Sequence, residues 1–203
     1  MEEGGLPMFF VLSTFLEICS YVLATLPLLA VWYLMPAHRG HSHKFRFGVL
    51  VFTVYLCCVA AVVGLPTLRW GLQFDATITL IPFHHFFADT LQFLLNILMF
   101  VPLGIFLPLL WERFGSLKET AGFGFLLSLL IEVSQLFCFR ITDLNDLFMN
   151  TLGVVLGWCI WKKRRRSCGE RGCSPWGMVA LVWVAAFLWQ GFLSEFLWNL
   201  FYH

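Results

Sequence analysis

Seven polar side chains stand inside strongly apolar stretches: Glu17, Asn96, Glu132, Gln135, Asn150, Gln190 and Glu195. Ionisable and amide groups in such surroundings are expensive and mark functional positions. Their spacing has a pattern. Glu132 and Gln135 are i,i+3 neighbours, with Ser128 one turn earlier on the same helical face. Asp143, Asp146 and Asn150 lie at i, i+3 and i+7, again one face. Arg140 stands between the two groups. Carboxylates so placed can accept from an amine or sugar hydroxyls, or act as a general base. An arginine beside them can pair with a phosphate or carboxylate.

Apolar runs bounded by charge, Pro or Gly supply the elements. They predict six membrane helices at about residues 8–35, 47–65, 90–111, 120–139, 144–161 and 175–201. Depth follows from a rise of ~1.5 Å per residue. Asn96 lies about 10 Å inside the third span, counted from Asp89. Glu132 and Gln135 lie about 12 Å and 7 Å below Arg140 in the fourth. Asn150 is about 6 Å past Asp146 in the fifth. Three spans thus bring polar groups to one layer. The fourth and fifth are joined by a short loop and must be antiparallel neighbours, so their polar stripes can face each other. Gly153 and Gly157 continue the stripe as G-x-x-x-G, a surface that admits close approach of another helix.

Composition agrees. The chain has 203 residues, of which 60% are hydrophobic and only 12% charged, with mean hydropathy +0.81. A soluble domain carries about 25% charged residues, so a soluble globule is excluded. A disordered chain and a disulfide mini-protein go with it. The expectation is an all-α, polytopic membrane bundle, residues 1–203 forming one membrane domain.

Loop charge sets an orientation. Loops 36–46, 112–119 and 162–174 carry eleven Lys and Arg, against Arg69 and Arg140 alone on the other side. Basic loops are therefore expected in the cytoplasm and both termini outside. No basic surface remains for nucleic acid. The N-terminus lacks a basic n-region, so a cleaved signal peptide is not expected. Segment 67–89 is too apolar for a free loop and is broken by Pro82. It reads as interfacial, with Trp70, Phe74, Phe83, Phe86 and Phe87 at headgroup depth. His84 and His85 fall there as interfacial residues, ligands or acid–base groups. Cys168 and Cys173, spaced C-x4-C, lack two further metal ligands nearby. No metal and no cofactor are expected.

Structural roles stand beside the functional ones. Asp143 suits a helix N-cap, with Asp146 in the first turn. Asn96, Gln135 and Asn150 suit interhelical hydrogen bonding. Glu132 must be protonated or paired. Pro102 and Gly104 suit a kink in the third span. Glu17 and Glu195 have no evident partner in the sequence.

The string Glu132-x-x-Gln135, then Arg140-x-x-Asp143-x-x-Asp146-x-x-x-Asn150-x-x-Gly153-x-x-x-Gly157, resembles the signature of the VanZ-like membrane family. Ile81-Pro82-Phe83, Asn96 and Pro102-Leu103-Gly104 upstream are similar to that family's pattern. The resemblance covers about residues 80–160. It implies a multi-pass protein of the bacterial cytoplasmic membrane. It also implies a link to glycopeptide susceptibility, since the family's named member is associated with low-level teicoplanin resistance without altered peptidoglycan precursors. It supplies no mechanism. The chain departs from the pattern in a first span without cytoplasmic basic residues and in its last span.

Three readings follow. An outward polar site could bind or flip membrane lipids, a lipid-linked cell-wall precursor or a lipoglycopeptide, since teicoplanin's acyl chain partitions into the outer leaflet. A membrane hydrolase or transferase could use Glu132 as base, Arg140 as electrostatic stabiliser and Asp143 and Asp146 on a cation. No known hydrolase motif accompanies them. The layer could also serve packing alone. The first reading, non-catalytic, is the expectation carried forward.

Overall fold

The computed structural model describes residues 5–35, 40–69, 71, 74, 78–79, 90–137, 142–164, 169–170 and 174–202. For 5–10, 78–79, 142–143 and 202 the description is of backbone alone. The helices are α1 (Gly5–Leu34), α2 (His43–Val63), α3 (Thr90–Leu110), α4 (Leu117–Gln135), α5 (Leu144–Lys163), α6 (Trp176–Ala185) and α7 (Gly191–Tyr202). A π-turn, Ala186–Gln190, joins α6 to α7 without leaving helical backbone geometry. Among the described residues there are thus six helical rods. Four are long and apolar enough to cross a membrane: those containing Val11–Leu34, His43–Val63, Thr90–Leu110 and Trp176–Phe201. The helices α4 and α5 have spanning length but carry more polar residues, Lys118, Glu119 and Glu132 in one and Asn145, Asp146 and Asn150 in the other.

The chain divides into two compact units. The first comprises Met1–Ser42, Leu50–Leu72 and Trp176–His203. Its core holds Leu16, Ala24, Phe52, Leu56, Ala60, Val182 and Ala185. The Leu65 amide donates to the Tyr21 hydroxyl at 3.2 Å, tying the turn after α2 to α1. That turn begins at Gly64, whose φ of 67° ends α2 in the left-handed region. Pro66 then prevents the helix from resuming.

The second unit comprises His43–Val49 and Gln73–Pro175. Its helices are inverted relative to a soluble protein. On α4 the buried positions are Thr120, Phe123, Gly124, Leu127, Ser128, Ile131, Glu132, Ser134 and Gln135, one stripe at i,i+3/i+4 spacing. The opposite face exposes Phe125, Leu126, Leu129 and Val133. Glu132 is 5% exposed while Leu129 is 41% exposed. Water around this helix would reverse that choice, and a lipid environment would favour it. The helix α3 shows the same order, with Leu91, Leu94, Leu95 and Leu98 outward and Phe93, Asn96, Phe100 and Leu103 inward.

Glycines decide which helices meet. A Cβ on Gly104 would run into the Val154 carbonyl, one on Gly157 into the Val101 carbonyl, and one on Gly153 into the Ile97 carbonyl. The G-x-x-x-G stripe of α5 therefore packs on α3, the close backbone approach that small residues allow between helices. The antiparallel neighbour α4 meets α5 differently, its Gly124 lying against the Val154 side chain. Pro102 is inside α3 and half-buried, and Gly104 makes the close contact. After α5, residues 169–170 lie against the end of α3. Gly169 and Glu170 amides donate to the Pro108 and Leu110 carbonyls at 3.1 and 3.0 Å, and Glu112 donates back to Glu170 at 3.2 Å.

The expected interfacial segment 67–89 lies largely outside the described residues. One described piece, β1 (Ile78–Thr79), pairs in parallel with β2 (Thr142–Asp143), with Ile78 opposite Thr142 and Thr79 opposite Asp143. This two-residue ladder places residues 78–79 beside the start of α5. Gly71 in the same segment adopts φ 73°.

Candidate functional site

The site grows from the first two turns of α5. Asp143, last residue of β2, immediately precedes the helix and so occupies its N-cap position; its side chain lies outside the description. Asp146 is in the first turn, where the helix dipole favours negative charge. It accepts a hydrogen bond from the Asn96 Nδ2 of α3 at 2.5 Å. Asn96 is 7% exposed, and its Oδ1 accepts a longer bond from Gln92 at 3.4 Å. The amide is thereby oriented with its donor toward the carboxylate.

One turn deeper, Asn150 is 3% exposed and faces α4 instead. Its Nδ2 donates to Ser128 Oγ at 2.9 Å. Its Oδ1 is buried with no hydrogen-bond partner. Leaving a buried acceptor unmade costs about 1–3 kcal/mol. Ser128 itself is wholly buried, one turn before Glu132 on the same face of α4. Glu132 and Gln135 are buried at 5% and 8% exposure, and each has interaction partners. The polar side of α5 is thus divided, Asp146 turned to α3 and Asn150 to α4.

Some expected members fall elsewhere. Arg140, His84, His85, Cys168 and Cys173 lie outside the described residues, as do Asp89 and the Ile81-Pro82-Phe83 string. Asn145, 4% exposed in the first turn of α5, joins the buried polar set and was not expected. Only its place one residue before Asp146 pointed to it. Ser134, 8% exposed, is also buried on the polar face of α4 and donates to the Leu130 carbonyl at 2.7 Å, which satisfies its hydroxyl within the helix.

Chemically, the layer presents a carboxylate already holding one amide, a buried glutamate, and an amide oxygen with spare accepting capacity. These are buried acceptors, the chemistry that pairs with amines and hydroxyls. Among the described residues, no three His, Cys, Asp or Glu side chains come together in a way that could hold a metal.

No curated protein and no solved structure matches the chain. The family model described as VanZ/LLP1 matches residues 52–165, more than half of the chain. That stretch contains α3, α4 and α5 entire, with Asn96, Ser128, Glu132, Asp146 and Asn150. The protein whose polar residues are gathered in this way, between helices that turn their leucines outward, belongs to the VanZ/LLP1 family of membrane proteins.

Proposed function

We propose that this protein acts in the bacterial cell envelope and lowers susceptibility to glycopeptide antibiotics such as teicoplanin. It does so by holding a lipidic or glycan ligand, without chemistry on it, at the polar layer of α3, α4 and α5. In this reading all six helical rods cross the cytoplasmic membrane, the basic loops face the cytoplasm and the termini and polar layer face outward. Eleven basic residues against two support that orientation.

The observation that carries the proposal is the linked pair of contacts on α5. Asp146 and Asn150 are engaged by different helices, and Asn150 Oδ1 remains an unfilled acceptor. A layer built only for packing would gain by satisfying that atom. A ligand hydroxyl or amine would fill it. The test expresses wild type and Glu132→Gln at matched membrane levels in a susceptible Gram-positive host. Wild type is expected to protect against teicoplanin more than vancomycin, and the variant to lose protection. An unprotected host with well-folded wild type would refute the assignment.

A further inference from the structure

A cavity with several polar lining residues lies wholly within the first unit, bounded by α1, the turn after α2, the π-turn and α7. Its volume is about 450 Å³, within the ~300–1,000 Å³ of small-molecule sites. Glu17, Tyr21, Thr67, Gln190, Glu195 and Trp198 are among its lining residues. Glu17, Gln190 and Glu195 lie outside the stretch that the family model matches.

Glu17 is its centre. The Gln190 Nε2 donates to Glu17 Oε2 at 2.6 Å, and the Ser194 hydroxyl to Oε1 at 2.7 Å. Gln190 Nε2 also reaches Ser20 Oγ at 3.2 Å. Both carboxylate oxygens are thus held by neutral donors, and each retains accepting capacity. Among the described residues no cation pairs with Glu17. The cavity's guanidinium neighbour, Arg69, is bound to Glu195 and lies 5.6 Å from the Phe192 ring centroid. Among the described residues, the cavity's two carboxylates, Glu17 and Glu195, thus have one guanidinium between them, and it is held by Glu195.

Two further observations point to a ligand. Thr67 is 6% exposed, lines the cavity, and its Oγ1 has no hydrogen-bond partner. The π-turn is a local departure of the kind concentrated at functional sites. Here it carries Gln190, while its Phe187 carbonyl accepts from the Leu68 amide at 2.7 Å. That bond fixes the Thr67 turn against the helix that supplies Gln190.

We propose that this cavity binds a primary ammonium group, Glu17 taking its charge, Thr67 Oγ1 accepting one of its hydrogens and the Trp198 ring providing a π-face. An ammonium has three donors and no acceptor, which matches a lining with spare acceptors and, among the described residues, two carboxylates to one guanidinium. A phosphate would meet Glu17 and Glu195 and is disfavoured. The same chemistry occurs in an aminophospholipid headgroup and in a free amine.

The test uses full-length protein purified in detergent, with binding read by native mass spectrometry. Probes are phosphatidylethanolamine, phosphatidylglycerol and phosphatidylcholine of one chain composition, and free ethanolamine. Phosphatidylethanolamine is expected to bind at least tenfold more tightly than the other two lipids. Ethanolamine binding alone, without lipid preference, would keep the ammonium site and assign it to a soluble amine. Glu17→Gln is expected to abolish the preference. Thr67→Val, close in shape, is expected to weaken it several-fold while the unliganded protein melts at or above the wild-type temperature. Equal binding of the three lipids with no binding of ethanolamine would overturn the proposal. So would an undiminished preference in Glu17→Gln or, if that variant fails to fold, in Thr67→Val.

Discussion

Asn96 and Asp146, fifty positions apart, share a hydrogen bond of 2.5 Å that joins α3 to the first turn of α5. Three further turns of α5 then lie against α3 through glycine, with no side chain interposed at Gly153 or Gly157. Polar contact at one end and close glycine-to-backbone approach further along join this pair of helices.

Replacing Gly157 by leucine should break the pair. The Val101 carbonyl and the Gly104 backbone occupy the space the side chain needs, and neither is a flexible side-chain end. Overpacking costs typically 1–3 kcal/mol, more where only backbone can yield. Gly157→Leu should lower the melting temperature in detergent and reduce the monodisperse fraction, whereas Gly122→Ala, with open space around it, should not.

Asp146→Asn separates charge from hydrogen bonding. Asparagine can still accept from Asn96 Nδ2, so folded protein should persist at near wild-type level. Ligand handling that needs the carboxylate should fall by tenfold or more. Asn96→Leu should instead reduce folded protein, because it leaves the carboxylate without the amide it receives. Protein levels and antibiotic protection measured together distinguish the two outcomes.

The Asn150–Ser128 contact should be worth little by itself. Interhelical hydrogen bonds within membranes average about 0.6 kcal/mol in double-mutant cycles. A cycle of Asn150→Ala and Ser128→Ala, read by unfolding in mixed micelles, should give a coupling below about 2 kcal/mol. A larger value would mean that Asn150 is held for structure.

Gly64 is a conformational requirement. Its φ of 67° and the hydrogen bond its N–H donates to the Ala60 carbonyl at 2.9 Å close α2. A side chain in that region costs about 1–2 kcal/mol. Gly64→Ala should lower thermal stability by that amount, and Gly64→Val by more.

Orientation is tested by labelling. A membrane-impermeant thiol reagent should fail to modify Arg165→Cys in intact cells and should modify it after permeabilisation. The native cysteines are first replaced. Labelling from outside would invert the assignment.

Much of this was legible in the sequence, for physical reasons. A buried carboxylate or amide in an apolar run is too costly to be incidental, so Asn96, Glu132 and Asn150 were visible as inward positions before any coordinates. Their i,i+3 and i,i+7 spacing gave the faces. Which helix each would meet was not legible. The stripe containing Gly153 and Gly157 could serve α3 or α4 equally well, and only the place of Gly104 on α3 decides it. Glu17 was likewise visible as an anomaly, but its partners Gln190 and Ser194 lie more than 170 positions away. Nothing local links them, and a π-turn leaves no sequence mark. The pairing of residues 78–79 with 142–143 rests on backbone alone, which side-chain patterns do not report over two residues.

The most direct test of the polar layer compares teicoplanin with the same molecule stripped of its acyl chain. Cells expressing wild type or Asp146→Asn at equal membrane levels are exposed to each, with vancomycin as reference. Wild type should protect against acylated teicoplanin, protect less against the deacylated form, and leave vancomycin inhibition unchanged, while Asp146→Asn should give no protection. Full protection by Asp146→Asn, or wild-type protection equal for all three drugs, would contradict a polar site that holds an amphiphile by its charged layer.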